Sequence, residues 1–310
     1  MADLDVLGGQ LAGLTTEAVD PEFGSLDLMS TAELVGVMID HNRQVTDALS
    51  ASAEAIARAV DAAAERMARG GRLVYVGAGT PGRLGVLDAS EIPPTFGEPA
   101  ERVVGIIAGG APAITNAVEN AEDDADGGIA DIALAGIGPD DCVVGITASG
   151  RTPYVLGAIG EAHRRGAATI GVSCNPGSEL SDAADVGVEV IVGPELVAGS
   201  TRLKAGTAQK IVLNTISTLA MVRIGKTFGN RMVDLRATNA KLRARAVRTV
   251  MGVADVDASV ARRTLTDTEW EVKPAILMCM RGLTADDAAH ALRQADGRLR
   301  EALDRTRGIL

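Results

Sequence analysis

Two glutamates and two glycine-rich stretches have the most chemistry to offer. Glu91 sits in Asp88-Ala89-Ser90-Glu91-Ile92-Pro93-Pro94, among small and rigid neighbours. Partial burial there would raise a carboxyl pKa and suit a general acid. Glu122 lies in Val118-Glu119-Asn120-Ala121-Glu122-Asp123-Asp124. An acidic run of this kind is ordinarily a solvated face, and residue type alone favours that reading. Gly77-Ala78-Gly79-Thr80-Pro81-Gly82-Arg83 follows a strand-like run. Glycines between a strand and a helix let backbone N–H groups converge on a phosphate, although a tight turn needs them equally. No acidic residue completes a dinucleotide fingerprint and no GKS or GKT completes a Walker loop. Ala148-Ser149-Gly150-Arg151-Thr152-Pro153 repeats the arrangement at another strand end, and Ser173-Cys174-Asn175-Pro176-Gly177-Ser178 offers a third wall. Two hydroxyl–glycine loops at equivalent positions fit a compact phosphate better than a dinucleotide.

Other reactive side chains are weaker candidates. Cys174 has no histidine near it in sequence and reads as a packed residue. His41, His163 and His290 read as ordinary helix or surface residues. Arg202 and Lys204 either steer an anion toward the protein or pair locally with acids.

The elements that must hold these residues are legible from the period of the apolar pattern. Five β-branched runs, at 72–77, 102–108, 142–148, 168–174 and 186–192, alternate with helical patterns such as Pro112–Ala121 and Tyr154–Arg165. Nearly continuous apolar strands separated by helices imply an α/β fold with a parallel five-stranded sheet covered on both faces. A long helix is expected from Ser30, where Glu33 completes a capping box, to about Arg69 before Gly70-Gly71. A mostly apolar helix from about Thr207 to Lys226 reads as buried. Residues 1–30 read as an arm lying on the body.

After Asn239 the composition shifts. Residues 240–310 carry 13 basic and 10 acidic side chains, whereas the whole chain carries 30 and 41, a net charge of −11. Helical patterns near 241–252, 257–264, 273–281 and 285–303 suggest a small helical C-terminal domain at 240–310, beside a domain at 1–239. The acidic balance disfavours nucleic acid, and six aromatic residues (one Trp, two Tyr, three Phe) leave little for base stacking. Three cysteines without a CxxC spacing argue against disulfide or zinc frameworks. No basic leader or 18-residue apolar run is seen, so a cytoplasmic, membrane-free protein is expected.

The stretches 77–97 (GAGTPGRLGVLDASEIPPTFG), 117–124 (AVENAEDD), 148–155 (ASGRTPYV), 199–210 (GSTRLKAGTAQK) and 232–242 (MVDLRATNAKL) closely resemble the N-acetylmuramic acid 6-phosphate etherases. These belong to the sugar isomerase (SIS) group, with glucokinase regulatory protein. The resemblance runs from about Leu14 onward. It implies an SIS-type three-layer sandwich with a small UBA-like helical tail, acting as a homodimer without metal or cofactor. The implied reaction splits the D-lactyl ether of N-acetylmuramic acid 6-phosphate, giving N-acetylglucosamine 6-phosphate and D-lactate in cell-wall amino-sugar recycling.

The resemblance also assigns roles. Glu91 and Glu122 match the family's two active-site glutamates, reversing the bland reading of Glu122. Gly79, Thr80 and Ser90 join Ser149, Gly150 and Thr152 as binding residues for the sugar phosphate. Asn239 and Lys241 match positions that touch the sugar phosphate in the regulatory relatives. Glu195 either hydrogen-bonds sugar hydroxyls or caps the following turn. Two departures stand out: Pro81 replaces a common serine, and Asp20 replaces the asparagine of a TExxN pattern. The alternatives are a non-catalytic sugar-phosphate sensor, which retention of both glutamates disfavours, and an SIS-type transcription regulator, for which no basic recognition helix is present.

Overall fold

The computed structural model describes residues 13–118, 120–235, 237 and 239–307. The first twelve residues of the expected arm lie outside it. Five strands, β1 (Leu73–Gly77), β2 (Val103–Ile107), β3 (Cys142–Ile146), β4 (Ala168–Ser173) and β5 (Val186–Glu189), form one parallel sheet in the order β2-β1-β3-β4-β5. Each falls within its expected run. The chain steps from β1 outward to β2 and then returns past β1 to β3. That reversal opens a crevice beyond the C-terminal ends of β1 and β3, the place where parallel sheets receive ligands.

The segment 31–68 is two helices, α1 (Thr31–Ala51) and α2 (Ala53–Ala68), not the single helix expected. Ser52 breaks the run by donating its hydroxyl to Ala48 O (3.0 Å) and to Glu189 O (2.6 Å) at the end of β5. The expected capping box is present, with Ser30 N donating to Glu33 Oε2 at 2.8 Å. Helix α3 spans Gly79–Phe96. The expected helix over 112–121 shrinks to α4 (Pro112–Thr115), because Asn116 turns extended and Asn120 adopts a left-handed φ of 62°. Helix α5 (Ala125–Leu134) was not anticipated; Gly127-Gly128 masked it, although Asp124 caps it by accepting from Gly127 N at 2.8 Å. Helices α6 (Pro153–Arg164), α7 (Glu179–Ala183) and α8 (Lys204–Arg223) complete the α/β part.

The sheet is covered on both faces. Val74 and Val76 pack with Ile132 of α5 and with Val155 and Ile159 of α6. Facing the other way, Tyr75 is fully buried, and its hydroxyl donates to Asp88 Oδ2 of α3 at 2.7 Å. Ser217 Oγ of α8 donates to the same carboxylate at 3.2 Å, so β1, α3 and α8 meet on one buried acid. Each buried Val, Ile or Leu side chain contributes roughly 1.5–3 kcal/mol. Helix α8 is less buried than expected: Val212, Leu213 and Ile216 are covered, but Ile211, Leu219 and Val222 are 37–43% exposed.

The chain divides into two compact units, Met1–Ser90 with Glu101–Thr218, and Glu91–Ala100 with Leu219–Leu310. In the second, a short hairpin of β6 (Thr227–Phe228) and β7 (Arg231–Met232) precedes α9 (Ala240–Ala254), α10 (Ala258–Asp267), α11 (Val272–Arg281), α12 (Ala285–Gln294) and α13 (Leu299–Arg305). The last expected helix is split in two at Asp296-Gly297, both left-handed at φ 49° and 73°. Val250, Leu265, Ile276 and Leu299 share its core. Lys273, only 6% exposed, donates to Asp234 Oδ2 (2.6 Å) and to Gly297 O (2.7 Å), which satisfies its charge within the unit.

Candidate functional site

The loop after β1 is shaped by close backbone packing. A Cβ on Gly82 would lie 2.6 Å from Gly77 O and 2.7 Å from Ile107 Cγ1, so only glycine lets α3 start so near the strand. Thr80 and Pro81 occupy the first turn of α3, where backbone N–H groups lack intrahelical partners and favour an anion. Proline is well suited there, since the N–H it removes has no partner inside the helix. Thr80 is half-buried. It lies close to α8, since a Cβ added at Gly206 would meet Thr80 Cγ2 at 3.4 Å.

The loop after β3 is shaped by hydroxyls. Thr147 Oγ1 lies 2.6 Å from Thr152 Oγ1 and 3.2 Å from Ser149 Oγ, and Arg151 N donates to Ser149 Oγ at 3.2 Å. Gly150 is left-handed at φ 78° and abuts Ser178. Thr147 was not anticipated from sequence; its place as the last hydroxyl before the loop was the available signal. Asn175, from the expected third wall, fastens this loop to the arm. Its Nδ2 donates to Ala148 O (2.9 Å) and Thr16 Oγ1 (3.0 Å), while its Oδ1 accepts from Thr15 N (2.7 Å).

Beside the first of these loops lies a cavity of about 230 Å³ at the C-terminal ends of β1 and β2. Gly79, Arg83, Asn116, Asn120 and Glu122 are among its lining residues. The structure therefore brings Glu122 to the first glycine loop, on a turn preceded by the left-handed Asn120. Asparagine tolerates that left-handed conformation better than most residues, so it turns the chain here at little cost. Glu122 is exposed.

Glu91 also differs from expectation. It lies inside α3, because the helix continues through Pro93 and Pro94 to Phe96. It is exposed, so the expected partial burial is not found. Ser90 is exposed and spends its hydroxyl on Leu87 O at 2.7 Å. Glu195, 1% exposed, caps α8 by accepting from Lys204 N and Ala205 N, both at 2.9 Å. Asn239 caps α9 by accepting from Leu242 N at 2.9 Å, and Lys241 is exposed. Glu91, Asn239 and Lys241 belong to the second unit.

Two further basic side chains are buried. Lys204 is fully buried and donates to Gln44 Oε1 at 2.6 Å, so it fastens α1 to α8 and does not steer anions. Burial pulls its ammonium below the usual lysine range, against the opposing pull of Glu195 and Asp20. His41 is only 5% exposed and meets Phe23 edge-on at 5.2 Å; burial chiefly lowers its pKa. Cys174 is packed as expected, and burial pushes its thiol up to about 12, far from a thiolate. Among the described residues no three His, Cys, Asp or Glu side chains converge as metal ligands.

The glucokinase regulatory protein N-terminal SIS domain profile matches residues 55–163, and the SIS domain profile matches residues 114–219. The chain is 52% identical to the N-acetylmuramic acid 6-phosphate etherase of Streptomyces avermitilis, over 96% of each protein. It is 52% identical to the protein of that name from Rubrobacter xylanophilus, over 95% of this chain and 97% of the relative. A solved phosphoheptose isomerase from Francisella tularensis is 19% identical, covering 62% of this chain and 98% of its own, with a TM-score of 0.47.

Proposed function

The chain belongs to the N-acetylmuramic acid 6-phosphate etherase family, and from that premise we propose how its residues divide the reaction. The enzyme cleaves the D-lactyl ether of N-acetylmuramic acid 6-phosphate and serves recycling of cell-wall amino sugars. In the open-chain sugar, the C1 aldehyde acidifies the C2 proton, and the ether on C3 is a β-leaving group. A base takes the C2 proton, the C3–O bond breaks, and an acid protonates the departing lactate oxygen. Water then adds at C3 and a proton returns to C2, giving N-acetylglucosamine 6-phosphate and D-lactate. Each placed proton transfer contributes typically 100- to 10,000-fold.

Glu122 is assigned as the base at C2. The observation that carries this is the cavity it shares with Gly79, next to the phosphate-binding turn. Glu91 is assigned as the acid to the lactyl oxygen and then as the base that activates water. Thr80, Ser149, Gly150 and Thr152 hold the phosphate, with Asn239 and Lys241 as further phosphate contacts and Glu195 setting the start of α8. The exposed stripe Ile211, Leu219 and Val222 on α8 supports a homodimer, and the setting is cytoplasmic.

Mass spectrometry of both products in heavy water tests the two roles. Glu122→Gln is expected to abolish deuterium uptake at C2 and lactate release together. Glu91→Gln should suppress lactate release more than C2 exchange. The opposite pattern exchanges the roles, and normal turnover in both variants ends the assignment. Light scattering that finds an active monomer at micromolar concentration would remove the dimer.

A further inference from the structure

The substrate carries two anions, the 6-phosphate and the lactyl carboxylate. The loops after β1 and β3 offer hydroxyls and amides suited to the phosphate. The carboxylate still needs a partner, because moving an unpaired charge out of water is costly.

Arg83 is the one cationic side chain among the described residues lining the cavity of Gly79 and Glu122. Its Nε donates to Ala113 O (3.0 Å) and Ile114 O (3.1 Å), and its Nη2 donates to Asn116 O (2.8 Å). These bonds hold the guanidinium plane against 113–116. Nη1 has no hydrogen-bond partner among the described residues. A guanidinium fixed in this way is pre-organised for a planar carboxylate.

Topology puts the carboxylate on the same side. The hydroxyl loops follow β1 and β3, whereas the cavity lies at the ends of β1 and β2. Neighbouring strands are about 4.8 Å apart, a span comparable with a hexose ring. A sugar with its phosphate over β3 and β1 therefore carries its C3 substituent toward β2. There the lactyl carboxylate would also repel the Glu122 carboxylate unless a cation stood between them.

Resting on the etherase reading above, we propose that Arg83 determines specificity for the 3-O substituent by binding the lactyl carboxylate. Rates of N-acetylglucosamine 6-phosphate release from N-acetylmuramic acid 6-phosphate and from its 3-O-ethyl analogue, which lacks the carboxylate, test this. Wild-type enzyme should prefer the lactyl ether in kcat/KM by roughly 10- to 100-fold, the range of one hydrogen bond to a charged group. In Arg83→Met the ratio should fall toward one, whatever is lost on both substrates alike, and Arg83→Lys should fall between. A wild-type ratio near one overturns the proposal, as does an unchanged ratio in both variants. A purely structural arginine would lower both rates and leave the ratio intact. Should neither variant fold, the wild-type ratio decides. A wild-type chain that turns over neither ether would overturn the etherase reading itself, and this proposal with it.

Discussion

The two loops proposed to hold the phosphate occupy equivalent places at the sheet's C-terminal edge, yet they are held by different forces. The loop after β1 takes its shape from backbone against backbone: Gly82 lies so close to Gly77 that a Cβ would be 2.6 Å from the Gly77 oxygen. The loop after β3 takes its shape from Thr147, whose hydroxyl lies 2.6 Å from that of Thr152 and 3.2 Å from that of Ser149. One loop is sterically fixed and leaves its threonine's hydroxyl available. The other is polar and must reorient its hydroxyls when an anion arrives. A steric contact should fail abruptly when altered, including the one Gly150 makes with Ser178 in the second loop, and the hydroxyl network should weaken by degrees.

Four substitutions can break that contrast. The largest effect is expected from Gly150→Ala, where a Cβ would sit 2.2 Å from Ser178 Cβ at a left-handed φ. Strain and overlap together should cost about 2–5 kcal/mol, read as a lower Tm, with activity falling roughly 100-fold. Gly82→Ala comes next, at about 1–3 kcal/mol, because α3 must move away from β1. Its kcat/KM should fall more steeply than its stability suggests, since Thr80 moves with the helix. Thr147→Val keeps the shape and removes the central hydroxyl, which should cost about 1 kcal/mol and raise KM several-fold with kcat nearly unchanged. If Thr147→Val impaired activity more than Gly82→Ala, the contrast between the loops would be wrong. The smallest effect belongs to Pro81→Ser, within about 0.5 kcal/mol and with activity equal or improved. A large loss there would mean that the proline itself shapes the turn.

These differences also mark what was legible in the amino-acid pattern. All five strands were, because continuous β-branched runs have few other uses, and both loops were, because glycine and hydroxyl residues followed those runs. The phosphate-binding turn could be proposed from that alone. Glu122 was legible only through the family resemblance: an acidic run looks solvated and Glu122 is indeed exposed, and the structure adds its place beside Gly79. Long-range partners were hidden as well. Lys204 meets Gln44 and Asn175 meets Thr15, each 160 residues apart in the chain, and no local spacing reports such pairs. Helix α5 was missed for a local reason, since Gly127-Gly128 dilutes its propensity while Asp124 caps it.

The bond between Thr15 and Asn175 has a consequence in time. Thr15 is made before its partner, which follows 160 residues later. Closing so long a loop costs little more than closing one half as long, about 0.6 kcal/mol, so the delay and not the entropy is what matters. Until β4 and its loop have formed, the arm has nothing to fasten to, and the Ala148 carbonyl lacks the Asn175 amide that holds it. The rim of the site is therefore completed only after Asn175 is made, although Thr15 is made much earlier. Limited proteolysis of stalled nascent chains should find the arm cleavable until chains extend past Asn175 and protected afterwards; protection in shorter chains would show that the arm docks elsewhere first.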